Sequence, residues 1–337
     1  MSSATISAVI PVWNGRALVE KLLASLRRQT RPAAQILVVD NGSTDGAAER
    51  ARALGAQVHS MGHNAGFAAA VNRGIEMSAG RWIAVLNSDV ELAPDYFEKL
   101  AGAAETEKAW FAAGKLLSAE SPERIDGTWD VISRGGATWR VGHGQADGPR
   151  FALPRRIDMA PWTATLFRGE LFGRVGRLET DFGSYLEDVD FGLRCAVRRL
   201  DGVYVPEAVA WHQGSAALGR WHPETVRLMA RNQVLLLARH YPPQLVRQWA
   251  WPILVAQLLW GGIALRHGCG TAWLRGKWQG LRSWRAARAK CDAPDLDVLS
   301  GLAQAHERLI YEMQAPEGFE LYWRMYFLLT RVGQSDT

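Results

Sequence analysis

At 337 residues the chain is long enough for one large or two modest domains around a buried core. Its formal charge of +5 and pI of about 9.3 are mild, and as a count suit a nucleic acid, a phosphorylated substrate or an anionic membrane. Three scattered cysteines, Cys195, Cys269 and Cys291, are odd in number and lack metal-ligand spacing, which argues for reduced thiols in a cytoplasmic setting.

Met1 to Thr5 is short and polar, so no signal peptide is expected there. Ile6 to Val12 reads as a first strand and Trp13-Asn14-Gly15 as the turn after it. Leu18, Val19, Leu22, Leu23 and Leu26 then recur at helical spacing, with Arg27 and Arg28 in the last turn, where cations suit the helix dipole. A second strand, Gln35 to Asp40, stops at Asn41-Gly42-Ser43, and a helix near Thr44 to Leu54 and a short strand near Gln57 to Ser60 continue the pattern. Alternating strands and helices with short connections predict a parallel sheet covered by helices. A carboxylate at Asp40, at a strand's carboxyl end, can accept hydrogen bonds from a nucleobase or ribose, although the same residues also serve as a turn and helix cap.

The run from His63 through Asn64, Gly66, Phe67 and Asn72 to Gly74 packs small residues into the start of a helix. Its free N–H groups favour an anion. No GxGxxG follows the first strand and no GxxxxGK[ST] occurs, which argues against a dinucleotide dehydrogenase and a P-loop enzyme. Trp82 to Leu86 is apolar without a break, as a strand buried on both faces should be, and ends in Asn87-Ser88-Asp89. Asp89 therefore sits where open α/β sheets bind ligands, in a position suited to a cation-held ligand. Pro94 to Glu105 predicts a helix, Trp110 to Leu117 a strand, and Ser118 to Arg156 loops with short strands.

Glu187, Asp188 and Asp190 put three carboxylates at the start of a helix whose apolar face is Val189, Leu193, Ala196, Val197 and Leu200. Acidic residues there are common dipole partners, but such crowding can also raise one pKa toward that of a general base. Val203 to Pro206 predicts a strand, followed by Trp211-His212-Gln213-Gly214-Ser215. A lone histidine is usually structural; beside Asp89, a neutral His212 imidazole completes a small-cation site. A helix from Pro223 to about His240 carries Arg231 and Asn232, which line a diphosphate pocket or are simply solvated.

Taken together in this order, Ile10-Pro11-Val12-Trp13-Asn14, Val39 to Asp45, Asn64 to Gly74, Leu86 to Asp89, Glu187 to Asp190 and Tyr204 through His212 resemble inverting sugar transferases of glycosyltransferase family 2. The narrower resemblance is to rhamnosyltransferase-like members that build bacterial cell-surface glycans, and it spans roughly Ile6 to Tyr241. It implies the GT-A fold, a Rossmann-like mixed, mainly parallel sheet flanked by helices. It also implies that Asp40 holds the nucleotide base, with Pro11, Val12, Trp13 and Asn14 as pocket wall, and that Asn41, Ser43, Asn64, Gly66, Phe67, Asn72, Asn87, Ser88 and Arg231 line the nucleotide-sugar site. Asp89 matches the last carboxylate of the DxD metal motif, His212 a histidine that joins it at Mg²⁺ or Mn²⁺, and Asp188 the catalytic base, supported by Glu187 and Asp190. Two departures stand out. Asn87 replaces the first Asp of DxD, and Arg199-Leu200-Asp201-Gly202 replaces an Ala-Gly pair.

From Pro242 the α/β pattern ends, so the expected division is a catalytic domain over 1–241 and a helical extension over 242–337. Seven tryptophans lie between Trp249 and Trp323. Trp249 to Leu265 is strongly apolar but at the lower limit for a spanning helix, and a basic stretch through Lys290 interleaves Arg with Trp. That composition suits a segment of 249–290 lying on a membrane, or else a helical subdomain packed on the core, part of a homodimer contact. The expected partners are a nucleotide-diphosphate sugar, a glycan or lipid-linked acceptor, and the inner face of the cell membrane. Nucleic acid is not expected, since no recognition motif accompanies the basic residues. The donor read from the resemblance is dTDP-rhamnose. UDP-hexose or GDP-sugar transfer, sugar nucleotidyl transfer and a non-catalytic membrane scaffold are the competing readings.

Overall fold

The computed structural model of the protein describes residues 5–214, 221–290 and 295–331. Ser215, Cys291 and the polar terminus after Arg331 lie outside the described residues. The chain forms two compact units, Met1–Trp129 with Gly142–Ala217, and Asp130–Val141 with Leu218–Thr337.

In chain order the first unit begins β1 (Ile6–Val12), α1 (Arg16–Arg27), β2 (Gln35–Asp40), α2 (Ala47–Ala53), β3 (Gln57–Ser60), α3 (Phe67–Met77) and β4 (Trp82–Leu86). It continues β5 (Val90–Leu92), α4 (Tyr96–Thr106), β6 (Phe111–Ser118) and β7 (Ile125–Gly127), and the chain then enters the second unit for the hairpin β8 (Asp130–Ile132) and β9 (Thr138–Arg140). On return it adds β10 (Arg155–Ile157), β11 (Ala164–Arg168), α5 (Gly169–Val175), α6 (Glu187–Ala196) and β12 (Gly202–His212). The ten-stranded sheet runs β10-β12-β6-β11-β4-β1-β2-β3, with β5 on β12 and β7 on β6.

The expected parallel order holds for β4, β1, β2 and β3, whereas β11 runs antiparallel between β4 and β6. All five residues of β4 are buried, as its unbroken apolar sequence requires. Val19, Leu22, Leu23 and Leu26 form the buried stripe of α1. One strand departs from expectation. The segments Val203 to Pro206 and Trp211-His212 are a single strand, because a register shift between Val205 and Val209 accommodates Pro206 and pairing with β6 resumes beyond it.

The second unit contains α7 (Pro223–His240), α8 (Pro243–Gln248), α9 (Ala250–Arg266), α10 (Gly270–Ala289), α11 (Leu296–Gln314) and α12 (Leu321–Thr330). The expected boundary at 241/242 falls inside this unit. The reason is close packing of α7 on α10: a Cβ at Gly276 would lie 2.2 Å from Arg227 O, and one at Gly280 would lie 2.7 Å from Val234 Cβ. The β8–β9 hairpin belongs here too, through Arg134 to Glu307 at 2.5 Å and Tyr241 Oη donating to Ser133 O at 2.9 Å.

Candidate active site at the carboxyl ends of the strands

Asp89 follows β4 and leads directly into β5, whose Val90 pairs with His212 at the end of β12. Gln213 N donates to Asp89 O at 3.0 Å, fixing the two segments side by side. His212 Nε2 then lies 3.2 Å from Asp89 Oδ1. On its other flank β12 pairs with β6, which carries β7, and this brings Asp126 Oδ2 to 2.8 Å from His212 Nδ1. All three side chains are largely buried. Burial opposes the imidazolium, but the hydrogen bonds to Asp126 and Asp89 outweigh it and push His212 up to about 9. In the absence of a cation the ring is thus a protonated bridge between two carboxylates.

Sequence reasoning placed Asp89 and His212 together and missed Asp126. Among the described residues no group of three or more His, Cys, Asp or Glu is arranged to hold a metal ion, and Asp89 and His212 are two adjacent donors here. Those donors fit Mg²⁺ or Mn²⁺: a carboxylate oxygen and an imidazole nitrogen, the latter oriented by a second carboxylate.

A second group of residues surrounds Asp40, which is buried at the end of β2. Its Oδ1 accepts from Ser43 N at 3.0 Å and its Oδ2 from Ser60 Oγ at 3.2 Å. Asn14, left-handed at φ 58°, accepts Thr44 N at 2.9 Å and donates its own N–H to Ser43 Oγ at 2.9 Å. Gly15 N and Arg16 N donate to Asp45 Oδ2 at 2.6 and 2.8 Å. The turns after β1 and β2 are therefore knitted into one wall, with Trp13 exposed on it and Pro11 half-buried. Val12 is 2% exposed and belongs to the core, so its side chain does not line that wall.

Several expected ligand contacts are made within the protein instead. Asn41 Oδ1 accepts Ala65 N at 2.9 Å while its Nδ2 donates to Asn64 Oδ1 at 3.0 Å and Gly66 O at 3.2 Å. Asn41 and Asn64 thus hold the turn before α3. The N–H groups expected to be free at the start of α3 are engaged: Ala68 N donates to Gly183 O at 3.0 Å and Phe67 N to Ser184 Oγ at 3.3 Å. Gly66, at φ 89°, permits this approach, since a Cβ there would lie 3.0 Å from Gly183 O. Asn72 clasps the backbone of Leu178, donating to its O at 2.8 Å and accepting its N–H at 2.9 Å. Asn87 N donates to Thr163 O at 2.8 Å, and Asn87 and Ser88 remain half-buried beside Asp89. Arg231 lies in the second unit, on α7, donating to Asn232 Oδ1 at 2.9 Å.

The loop from Gly183 delivers the acidic cluster. Tyr185 (φ 74°) and Leu186 (φ 67°) are consecutive left-handed residues without being glycine, a costly backbone of the kind concentrated at functional sites. They aim Glu187 and Asp188 into the first turn of α6, with Glu187 buried and Asp188 half-buried. Asp190 departs from the expected cluster. Its Oδ2 lies 3.0 Å from Arg194, whose guanidinium also donates to Val175 O at 2.7 Å and Arg177 O at 2.8 Å. Asp190 is thereby a neutralised structural anchor between α6 and the end of α5.

Comparison with known proteins gives the chain its relatives. Residues 7–166 match the family described as glycosyl transferase family 2. The N-acetylglucosaminyl-diphospho-decaprenol L-rhamnosyltransferase of Mycobacterium tuberculosis is 29% identical over 272 residues, covering 74% of this chain and 87% of that protein. Among solved structures, GalNAc-T7 with UDP, GalNAc and Mn²⁺ superposes with a TM-score of 0.59 at 13% identity, over 89% of this chain and 58% of that one. The mannosyltransferase PcManGT from Pyrobaculum calidifontis, in complex with GDP-Man and Mn²⁺, superposes with a TM-score of 0.51 at 17% identity, over 96% and 86% of the two chains. These structural likenesses carry the fold, the mixed and mainly parallel sheet of GT-A glycosyltransferases, to which this chain adds C-terminal helices.

Proposed function

We propose that this chain, a member of glycosyl transferase family 2, moves a sugar from a nucleoside-diphosphate donor to a hydroxyl of a glycan or lipid-linked acceptor, with inversion at the anomeric carbon. The observation that carries the reading is the Asp89–His212–Asp126 row, set after β4 and at the end of β12 in a sheet whose β2 ends at Asp40. Rhamnose carried on dTDP is the preferred donor, supported by the relative's printed activity. A UDP-hexose or GDP-sugar is the second reading, supported by the nucleotides in the superposed structures.

Asp40 accepts hydrogen bonds from the base or ribose, and the wall around Trp13 and Asn14 closes the nucleotide pocket. Asp89 and His212 would hold a divalent ion, which would supply positive charge against the departing diphosphate. Asp126 keeps His212 turned so that Nε2 faces Asp89. Asp188, fixed at the first turn of α6, accepts the proton of the acceptor hydroxyl as that oxygen attacks from the face opposite the diphosphate. One displacement suffices, so no sugar–enzyme bond forms and no paired nucleophile is needed. A lipid-linked acceptor puts the work at the cytoplasmic surface of a membrane.

The test is a screen of dTDP-rhamnose, UDP-glucose, UDP-galactose and GDP-mannose with Mg²⁺ or Mn²⁺, reading thermal stabilisation and slow nucleotide release. One donor should stabilise the protein, and the effect should vanish with EDTA and in Asp89→Ala. Melting curves indifferent to every nucleotide and nucleotide sugar would sink the assignment.

A further inference from the structure

Helices α9 and α10 are joined by a short turn and meet through Gly261 against the Trp273 ring and through Gln257 bonded to Lys277. Later residues of α9 thus meet earlier residues of α10, so the pair is an antiparallel hairpin. On α9, Trp251, Leu254 and Leu258 are exposed, and on α10 so are Leu274, Trp278 and Leu281, each at 48–62%. At about 100° per residue, both sets lie roughly a quarter turn from the mutual contact in the same rotational sense. In antiparallel helices that puts them on one side of the hairpin. The opposite side of α10 is taken by α7 at Gly276 and Gly280. At one edge of the apolar stripe Trp251 touches α12, its Nε1 donating to Leu329 O at 2.9 Å, while Leu254, Leu258, Leu274, Trp278 and Leu281 stay exposed.

Its charge selects what can cover it. From Trp249 through Lys290 there is no Asp or Glu, against six Lys or Arg besides Lys277, whose amine is turned inward to Gln233 and Gln257. Arg282 and Arg285 are exposed on α10, and the Arg282 guanidinium sits 4.1 Å from the Trp278 ring centre. A second copy of the chain would bring this uniformly positive face against itself, which electrostatic complementarity disfavours. A surface with apolar depth beneath anionic head groups matches both components. No helix among the described residues is long and apolar enough to cross a membrane.

We propose that this face docks α9 and α10 in the interface of a bilayer carrying anionic lipid, with the leucines and tryptophans entering the acyl boundary and the arginines meeting lipid phosphates. The biological purpose of this docking rests on the lipid-linked acceptor proposed above, but the docking itself is a property of the helical unit.

The experiment is flotation of the full chain with phosphatidylcholine vesicles, with and without phosphatidylglycerol. The wild type should float with the anionic vesicles. Binding should fall at least about tenfold in Leu254→Ser/Leu258→Ser/Trp278→Ser and in Arg282→Gln/Arg285→Gln, with melting curves matching wild type. Trp278→Ser alone serves as the milder variant, with a smaller loss in the same direction. Wild type that stays with the soluble fraction overturns the proposal, as do variants that float like wild type. So does a concentration-dependent dimer, seen by sedimentation, that the same substitutions abolish. Nucleotide release from the sugar donor, measured without vesicles, tests the catalytic reading separately: release without flotation removes the docking alone, and flotation without release removes the catalytic reading alone.

Discussion

Asp126 Oδ2 lies 2.8 Å from His212 Nδ1, leaving Nε2 as the ring nitrogen that faces Asp89. Carboxylates in that relation to a ligating histidine fix its tautomer and orientation, and their loss typically weakens metal binding about 10–100-fold. Asp126→Ala should therefore weaken Mn²⁺ binding by that factor in the presence of the nucleoside diphosphate, read by titration calorimetry. The contact is local, so the melting curve should move far less than binding does. Unchanged Mn²⁺ affinity would mean that His212 does not hold the ion.

Asp188 stands apart from that row, on α6, and its proposed task is proton removal rather than binding. Asp188→Asn keeps the shape and removes the basicity. Single-turnover rates should fall by about 10²–10⁴-fold, while donor affinity by titration stays within about twofold. A parallel loss of donor affinity would assign Asp188 to the donor pocket instead.

Asn72 was expected beside the nucleotide and instead closes two hydrogen bonds with Leu178, joining α3 to the segment that leads into the acidic loop. Asn72→Ala leaves a backbone donor and acceptor without their partner, at a cost of about 1–3 kcal/mol. Urea unfolding should register that loss while the KM for the donor is unchanged at a temperature where the variant is folded. A raised KM with unaltered stability would restore the ligand role.

Two strands at the site were legible because each is signalled locally, the apolar run before Asp89 and the strand that ends at Asp40, whereas the strand that ends at His212 was read only over Val203 to Pro206. Asp89 and His212 were legible as a pair through the resemblance of Leu86 to Asp89 and Tyr204 through His212 to family motifs. Asp126 was not, because Ile125-Asp126-Gly127 is a three-residue strand in a loop-rich stretch and acquires its meaning only through pairing with β6. The backbone-holding bonds of Asn41, Asn64 and Asn72 were not legible for a different reason. Amide side chains near a site serve equally to bind ligand or to hold backbone, and their partners here lie as far as 106 residues away. The unit boundary was misplaced because the glycines that seat α10 on α7 carry no apolar signal of their own.

Lys277 gives a prediction about stability in the helical unit. Its ammonium donates to Gln233 Oε1 at 2.7 Å and to Gln257 Oε1. Burial alone pushes the amine down from 10.5 to about 7, with no carboxylate acting to hold the charge. Between those values the unfolded chain binds more protons than the folded one, so stability rises with pH across the window and is flat below about 7. A displacement of that size corresponds to a gain on the order of 3–5 kcal/mol over the whole window. The Lys277→Met variant keeps the stem and removes the titration. The wild-type Tm should therefore climb relative to the variant's between pH 7 and about 9, with the variant the more stable protein at the acidic end. A constant difference between the two melting profiles would mean that the ammonium keeps its charge and its hydration in the folded bundle.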